Sequence, residues 1–405
     1  MFVRLFTLAA ACSLAGSVGA ADWPHYRGPA QDGRSSETIA KAWPASGPKV
    51  LWRQPLGQGY SGISVVAGKA YTLYGSGADE LVLALDAISG KTLWKTRLDA
   101  NRADDMGGGP RSTPTVAGDR VYVLGAKGKL AALEAATGKI LWSVDLVATY
   151  GARIPQWGVS VSPIVEGELL LVDVGGKESH SVMGFEKATG KMRWASQTGE
   201  PGYSVPLVTE LAGTRQALFF TGSGLVSVDP ATGKFFWRVP WKTDYNVNAA
   251  MPVIVPPDKV FISSAYDTGA GFYQITKDGS GWKTTEIWKS RGMQNHFNSS
   301  VLVDGHLYGF DRSRLKCIRV ADGQERWNQS GFNRGSLLYV DGHLLVLGER
   351  GELALVKANP DSYQEIGKTK VFPDGDKTWT MPTLAGGRLY VRSEAQLVAL
   401  DLQNP

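Results

Sequence analysis

The sequence predicts an all-β fold, an eight-bladed β-propeller of four-stranded blades. Three observations support this prediction. A short turn-and-strand frame recurs along the chain, tryptophans follow the frame at the spacing of one propeller blade, and each end of the chain lacks the part that the other supplies. A period of about 40–50 residues with several short strands is typical of propeller blades.

The recurring frame is clearest between Ala132 and Trp142, where a strand ends, a tight Thr-Gly-Lys turn follows and a second apolar strand begins. Gly138 supplies the positive φ angle that such a turn requires. Further copies, the last of them degraded, end at the tryptophans numbered 94, 194, 237 and 327. Such repetition indicates an array built from one structural unit.

The spacing of the tryptophans predicts the position of each blade. They stand at positions 52, 94, 142, 194, 237, 288 and 327, and the segments between them are rich in β-branched and aromatic residues without helical spacing. The outer strand of the seventh blade, near residues 366–371, lacks the tryptophan, and the fifth blade has a long turn containing Gly279, Gly281 and Trp282. We expect the eight innermost strands to begin near Ser61, Ser112, Val159, Ser204, Ala249, Asn298, Gly335 and Thr380.

The two ends of the chain predict how the ring closes. The last strand contains Ala399, Leu400 and Asp401, but the chain stops before any turn and tryptophan. Near the other end, Trp52 stands in an apolar strand with no frame before it. We therefore expect this N-terminal strand to complete the last blade, which removes the exposed edges of the sheet.

The Asp/Glu–Thr–Gly–Lys–Trp frame resembles the tryptophan-docking repeat of the pyrroloquinoline quinone (PQQ) family of propellers. This family includes the propellers of quinoprotein dehydrogenases, the outer-membrane assembly factor BamB and many exported PQQ-like proteins. The resemblance covers about residues 50–402, and residues 23–29 and 108–114 are similar to the exported group in particular. The resemblance implies the fold, whereas function has to be argued from a site because the repeat is scaffold.

The N-terminal residues predict export from the cytoplasm. Residues 1–21 have the layout of a secretory signal peptide, with Arg4 before an apolar run and small residues at the predicted cleavage site. The run is too short to span a bilayer. We expect cleavage rather than lipidation at Cys12, because Leu8 lies four residues before this cysteine, where a lipoprotein signal needs three. The predicted location is therefore periplasmic or secreted.

The mature chain is predicted to contain one large domain. Residues 22–49 include four prolines and are expected to form an extended strap over the propeller of residues 50–405. The formal net charge of +5 is small for 405 residues, which argues against nucleic acid as a partner. We expect a monomer without a transmembrane segment.

The predicted binding site is at one mouth of the central channel. Loops that lead from the outer strand of one blade to the inner strand of the next converge there, and loops carry function while the blades hold them rigid. Two of these loops are long, at residues 101–111 and 149–158. The candidate ligand-binding residues come from the whole set of linking loops: Tyr60, Arg111, Arg153, Gln156, Trp157, Asn248, His296, Asn298, Arg334 and Trp379.

Two interpretations of these residues stay open. Arginine forks and aromatic rings suit an anionic or aromatic small ligand. Alternatively, Arg111 and Arg153 pair with Asp104 and Asp105 or cap loop carbonyls, and Trp157 is a wedge between blades. No metal-ligand spacing, nucleophile elbow or phosphate loop is present in the sequence, so catalytic residues stay unknown and no metal is predicted.

The sequence therefore favours an exported binding or scaffold protein over an enzyme. Its partner would be a periplasmic protein or a small ligand at the central mouth. The alternative, which the resemblance permits, is a quinoprotein dehydrogenase with PQQ and calcium as cofactors. This alternative is weakened because the chain has no adjacent cysteine pair and no haem-attachment motif.

Overall fold

The computed structural model describes residues 21–176, 178–279, 281–372 and 376–404. The predicted signal peptide lies outside the described residues, apart from Ala21. The described chain forms eight four-stranded antiparallel sheets, which we call blades 1 to 8. The blades pack face to face around a central channel, and buried aliphatic and aromatic side chains fill the space between neighbouring sheets. The prediction of an eight-bladed all-β propeller is confirmed.

The strands of each blade run from the channel outward in chain order. Blade 1 comprises Ser64–Val66, Lys69–Ser76, Asp79–Asp86 and Thr92–Ala100, and blade 2 comprises Thr115–Ala117, Arg120–Leu124, Lys129–Glu134 and Ile140–Asp145. Blade 3 comprises Ile164–Glu166, Leu169–Asp173, Val182–Glu186 and Met192–Ser196. Blade 4 comprises Leu207–Leu211, Thr214–Thr221, Gly224–Val228 and Phe235–Pro240. Blade 5 comprises Val253–Val255, Lys259–Ser264, Gly269–Asp278 and Gly281–Ser290. Blade 6 comprises Val301–Val303, His306–Asp311, Arg314–Arg319 and Glu325–Gln329. Blade 7 comprises Ser336–Val340, His343–Leu347, Glu352–Lys357 and Glu365–Lys370.

Blade 8 joins the two ends of the chain, as predicted. It comprises Thr383–Ala385, Arg388–Arg392 and Gln396–Asp401, and its outer strand is Val50–Pro55. The N-terminal strand pairs antiparallel with the last strand, so that Arg53 lies opposite Val398. This pairing closes the ring and leaves no open edge between the first and last blades.

A buried arginine fastens the seam where the ring closes. Arg392 of blade 8 is fully buried, and burial lowers its pKa to about 9. Its guanidinium donates to the carbonyl oxygens of Gly59 at 2.9 Å, Leu73 at 2.8 Å and Ser61 at 3.2 Å, and to the hydroxyl of Thr72 at 3.1 Å. These acceptors all belong to blade 1 or its entry loop, so one side chain holds blade 8 against blade 1.

The frame tryptophans dock on the next blade. The Trp94 indole N–H donates to the Ala135 carbonyl at 3.1 Å, and the indole lies against the turn that contains Gly138. Gly138 has φ +75°, and a Cβ atom built there would come within 2.4 Å of the Trp94 ring. The turn glycine is therefore required twice, by its backbone conformation and by the tryptophan of the preceding blade.

Two blades depart from the frame. In blade 7, Gly367 stands opposite Leu355, the place that tryptophan takes in the other blades, and the indole of Trp43 covers it. In blade 5 the predicted long turn is wrong, because Gly281 and Trp282 belong to a ten-residue outer strand. Trp282 packs against Phe236 of blade 4 with ring centroids 5.2 Å apart, and this contact explains why the hairpin extends as strand.

The innermost strands are short and begin one to five residues after the predicted positions. At this inner edge of each sheet, hydrogen bonds from side-chain hydroxyl groups to the neighbouring blade take the place of further strand pairing. Ser64 donates to the Pro114 carbonyl, Thr115 to the Pro163 carbonyl and Thr383 to the Ile63 carbonyl, at 2.5 to 2.7 Å. Hydroxyl groups thus connect neighbouring blades along the channel wall by hydrogen bonds.

The segment before the first blade crosses the lower end of the channel, the end opposite the linking loops. Asp22 accepts a bond from the Ala67 N–H in a lower turn of blade 1, and Arg34–Ser35 forms a fifth strand parallel to Ser336–Val340 in blade 7. In between, the chain bonds to residues in or just before the inner strands of blades 1, 2, 4 and 6: Val65, Val116, Pro206, Ser299 and Ser300. The channel is therefore filled from below by residues 22–35.

Short helices occur in the linking loops of the described chain, at Leu146–Tyr150 and, as a 3₁₀ turn, at Asp244–Asn246. None of the helices among the described residues has the length and apolar character needed to cross a membrane.

Candidate functional site

The linking loops surround a cavity of about 150 Å³ at the upper end of the channel. Eight ring-bearing residues line it, and we call this site the aromatic cup: Tyr26, Tyr60, Trp157, Tyr203, Tyr266, His296, Phe297 and Trp379. Seven of the eight linking loops contribute residues to the lining, and Tyr266 comes from a turn within blade 5 that opens at the same end. The topology of the ring brings these side chains together, because all such loops and turns meet on one face.

The rings of the cup touch one another in sequence around the mouth. Tyr245, which is 61% exposed, bridges Tyr266 and Trp157 at the rim. The centroid distances are 5.1 Å for Tyr60–Trp379 and for Trp379–Phe297, 5.3 Å for Phe297–His296 and for His296–Tyr266, 5.9 Å for Tyr266–Tyr245, 5.7 Å for Tyr245–Trp157 and 6.1 Å for Trp157–Tyr203. These spacings are those of favourable aromatic pairs, so each ring holds its neighbours in place.

Carboxylates outside the cup fix the polar edges of three rings. Trp157 donates its indole N–H to Asp105 at 2.9 Å, and Trp379 donates to Glu349 at 2.8 Å. The Tyr60 hydroxyl lies 2.8 Å from Glu394, and burial together with this carboxylate raises the pKa of Tyr60. The polar atoms of these three rings thus have hydrogen-bond partners outside the cup, and the faces of the rings line the cavity.

Arg111 is the one charged residue among the described residues that line the cavity. Its guanidinium lies over the Tyr60 ring at 5.5 Å and donates to both carboxylate oxygens of Asp104 at 2.9 and 3.0 Å. Both side chains are about nine-tenths buried, with 11% and 9% exposed. The positive charge at the wall is therefore already balanced by a buried negative charge.

A two-stranded hairpin, Ala103–Asp104 with Gly107–Gly108, reaches across the mouth. Met106 at its tip lines the cavity, and its carbonyl accepts bonds from the Tyr60 hydroxyl at 2.8 Å and from Lys377 at 3.1 Å. Gly107 has φ +134°, and a Cβ atom there would come within 2.4 Å of the Tyr60 hydroxyl. The glycine thus permits the hairpin to lie against the cup.

His296 is neutral and has a free hydrogen-bonding position. Burial, followed by the nearby charge of Arg334, lowers the pKa of His296 to about 4. Its Nε2 lies 3.2 Å from the Tyr266 hydroxyl, whereas its Nδ1 is buried without a partner among the described residues. This nitrogen has almost no accessible surface, so it is closed to a molecule in the cavity, and leaving it unpaired costs roughly 1–3 kcal/mol.

Tyr26 forms the floor of the cup. It lines the cavity above and a second cavity of about 10 Å³ below, so the channel is divided at this ring. The adjacent Arg27 is buried and donates to the carbonyls of Ser299 at 3.1 Å, Ser300 at 2.8 Å and Asp32 at 2.7 Å. These bonds fix the floor to blade 6, and the cup is therefore blind.

Six of the ten predicted ligand-binding residues line the cavity: Tyr60, Arg111, Trp157, His296, Asn298 and Trp379. Arg111 lines the cavity, and it pairs with Asp104 as the second sequence interpretation predicts; its binding of a ligand stays a prediction. Asn298 lies deeper and donates to the Gly335 carbonyl at 2.8 Å, which ties the wall of blade 6 to blade 7.

The other four predicted residues are not among the described lining residues. Arg153 forms an ion pair with Glu200. Asn248 is fully buried in its own loop, where it donates to the Thr221 and Trp241 carbonyls at 2.8 and 3.2 Å. Gln156 has an exposed side chain and accepts a bond from Arg102 at its carbonyl, and Arg334 is exposed at the rim.

The structure adds four rings that the sequence did not single out as ligand-binding: Tyr26, Tyr203, Tyr266 and Phe297. Tyr203 and Phe297 carry a usable signal, since they stand in linking loops just before an inner strand. Tyr266 stands in a turn inside a blade, and Tyr26 reaches the channel through the path of the strap, so no local pattern indicates either of them.

The described residues contain no cluster of three or more His, Cys, Asp or Glu side chains arranged to hold a metal ion. The chemistry that the cup offers is therefore contact with flat ring faces, one neutral imidazole and one neutralised guanidinium.

Comparison with known proteins agrees with this architecture. The family model described as outer membrane protein assembly factor BamB matches residues 35–150 and 78–329. The outer membrane protein assembly factor BamB of Burkholderia pseudomallei (strain K96243) is 24% identical over 366 residues, covering 85% of each chain. That of Nitrosomonas eutropha is 22% identical over 355 residues, covering 83% of this chain and 80% of the relative.

Solved structures share the fold. The crystal structure of BamB from Moraxella catarrhalis superposes with a TM-score of 0.63 at 16% identity, covering 87% of this chain and 99% of that one. A quinohemoprotein alcohol dehydrogenase from Comamonas testosteroni gives a TM-score of 0.65 at 14% identity, covering 95% of this chain and 81% of that one. Since the family model spans most of the propeller, from the fifth strand of blade 7 to the outer strand of blade 6, this chain belongs to the BamB family of PQQ-like repeat propellers.

Proposed function

We propose that this chain is a non-catalytic binding propeller of the cell envelope, which holds a protein partner or a small ligand at the aromatic cup. The observation that carries the proposal is the cup itself, a blind site of eight rings in which both tryptophans have their indole N–H groups paired with carboxylates outside the cavity. Concave, mostly apolar sites with a few polar groups are where ligands bind. The relatives named as outer membrane protein assembly factors support a role in the assembly of outer-membrane proteins.

A quinoprotein dehydrogenase is the second candidate, because of the likeness in fold to the quinohemoprotein structure. The residues of the cup do not fit its cofactor. PQQ is a planar tricarboxylate, yet the one charged lining residue that is described, Arg111, already pairs with Asp104. Calcium requires six to eight oxygen ligands, and the described residues offer no acidic cluster. We therefore propose no redox step.

The proposal is tested in cells that lack the gene for this chain. We expect lowered amounts of folded outer-membrane proteins, measured by their heat-modifiable migration, and recovery with the parent chain. A chain with Trp157→Ala and Trp379→Ala should fail to restore them. The control is Trp282→Ala, since Trp282 lies on the outer strand of blade 5 and away from the cup.

Two results would contradict this function. Unchanged outer-membrane proteins in the deletion strain would remove the assembly role. Dye reduction by the purified chain with PQQ, calcium and an alcohol would replace the binding role by the dehydrogenase role.

A further inference from the structure

We propose that the aromatic cup binds a trimethylammonium group, the positively charged head of choline-like compounds. This inference rests on the proposed function in taking the cup as the binding site, and it adds the chemical class of the guest. Four features of the cup lead to it: the enclosure by ring faces, the carboxylates behind the tryptophans, the cations that the rings already hold, and the volume.

The cup encloses its cavity with aromatic rings whose faces carry partial negative charge. Five of these rings follow one another at centroid distances of 5.1 to 5.3 Å: Tyr60, Trp379, Phe297, His296 and Tyr266. A cation within about 6 Å of a ring centroid is attracted by the ring quadrupole, and tryptophan attracts it most strongly. Because the rings surround one small cavity, a single cation inside it is within reach of several of them.

Carboxylates behind the two tryptophans increase this attraction. Asp105 accepts a hydrogen bond from the Trp157 indole N–H at 2.9 Å, and Glu349 accepts one from the Trp379 indole N–H at 2.8 Å. A hydrogen bond to a charged acceptor polarises its donor, and the indole thereby gains electron density on its faces. Neither carboxylate is among the described lining residues, so both act on a guest through the rings and not by direct pairing.

Two rings of the cup already hold cations of the protein itself. The Lys377 Nζ lies 4.9 Å from the centroid of Trp379, and the Arg111 guanidinium carbon lies 5.5 Å from that of Tyr60. Lys377 is not among the described lining residues. Arg111 is, but Asp104 neutralises it through bonds of 2.9 and 3.0 Å, so its repulsion of a second cation is small.

The lining favours a quaternary over a primary ammonium group. A primary ammonium is strongly hydrated and donates three hydrogen bonds, so inside a cavity it needs a carboxylate or several acceptors. No acidic side chain is among the lining residues that the structure describes. A trimethylammonium group has no N–H and presents methyl groups to the rings. Arg334 is exposed at the rim, where water and salt screen its charge.

The volume of the cup suits this group. An apolar cavity of about 150 Å³ takes one benzene ring, and a trimethylammonium group with its attached methylene has one non-hydrogen atom fewer. The aromatic cup has this volume, and its floor at Tyr26 closes the channel below. The charged head therefore fills the cup, and the rest of the guest extends through the mouth toward solvent.

Titration calorimetry of the full mature chain with three probes tests the proposal. Choline carries the charged head, 3,3-dimethylbutan-1-ol has the same shape with carbon in place of the nitrogen, and ethanolamine is the primary amine. We expect saturable binding of choline, binding of the neutral alcohol about 2- to 30-fold weaker, and no saturable binding of ethanolamine. Failure of choline to bind would overturn the proposal, and so would equal or tighter binding of either other probe.

Variants then locate the charged head. Trp157→Leu and, separately, Trp379→Leu keep an apolar side chain and remove a ring face. Each should weaken choline binding at least about 3-fold and reduce the preference for choline over the neutral alcohol. The control Trp282→Ala should bind choline like the parent. Unchanged choline affinity in both leucine variants would refute the assignment, and the comparison of probes on the parent chain stands even if a variant fails to fold.

Two sources of the group are separated with vesicles. We expect choline to bind and the protein not to sediment with phosphatidylcholine vesicles, because the hairpin of residues 103–108 lies across the mouth and keeps a bilayer from the cup. Sedimentation that free choline inhibits would assign the group to a lipid headgroup instead, and failure of both overturns the proposal. If choline fails while outer-membrane assembly still depends on Trp157 and Trp379, the guest class falls and the binding function stands.

Discussion

The indole of Trp43 replaces, in space, the tryptophan that blade 7 lacks in its sequence. Trp43 packs on Gly367, the residue at the frame position, and joins the core shared by blades 7, 8 and 1. Truncation of a fully buried tryptophan to alanine costs about 3–5 kcal/mol. Because Trp43 is half-buried, we expect Trp43→Ala to lower the free energy of unfolding by about 2 kcal/mol.

The reciprocal substitution makes this explanation specific. A Cβ atom on Gly367 would lie 3.3 Å from the Trp43 ring, so Gly367→Trp places two indoles in one space and should also destabilise the fold. In the double variant the new tryptophan takes the vacated position. We therefore expect Trp43→Ala with Gly367→Trp to recover at least half of the loss caused by either change alone.

Urea denaturation followed by far-ultraviolet circular dichroism measures these differences without depending on tryptophan emission. Trp194→Ala is the matched control, since it removes a frame tryptophan that is buried and should cost about 3–5 kcal/mol. An unchanged midpoint for Trp43→Ala, or a double variant no more stable than Gly367→Trp alone, would show that Trp43 does not act as the wedge of blade 7.

Three further substitutions test the packing and the ionisation of buried groups. Gly138→Ala should destabilise the fold by at least about 1 kcal/mol more than Gly118→Ala in urea denaturation, because both glycines have positive φ but a Cβ atom meets a tryptophan only at Gly138; equal losses would refute the docking argument. Arg392→Met leaves several carbonyls at the closure seam unpaired and should lower the free energy of unfolding by at least about 3 kcal/mol, and a smaller loss would mean that the seam is held by the strand pairing alone. Burial raises the pKa of Asp173 to about 7, so the native state binds more protons than the unfolded state between pH 4 and 7 and loses stability as the pH rises. We expect Asp173→Asn to gain in unfolding midpoint relative to the parent between pH 5 and 8, and a constant difference over that range would contradict the shift.

The sequence predicted the fold because the information is local and repeated. A glycine turn and a tryptophan recur at blade spacing, and each copy reports the same packing of one blade on the next. The closure was also predictable, since the unpaired strands at the two ends of the chain, around Trp52 and Leu400, have one way to lose their edges.

The candidate site was predictable in its position and less so in its members. The rule that linking loops meet at one mouth correctly grouped Tyr60, Arg111, Trp157, His296 and Trp379. It could not say which way a loop side chain points. Asn248 and Arg153 stand in the same class of loop. However, Asn248 donates hydrogen bonds to backbone carbonyls and Arg153 forms an ion pair with Glu200, so neither lines the cavity.

By itself, the sequence determined the blades, their number and the end of the ring where a site would form, because these follow from periodicity and from strand pairing. The tertiary structure alone decided the floor of the cup, the neutralised state of Arg111 and the replacement of a missing tryptophan by Trp43. Those features depend on contacts between residues far apart in the chain, such as Tyr26 with the channel or Trp43 with Gly367. No local pattern encodes such contacts, since they arise when the strap is laid across a ring that has already closed.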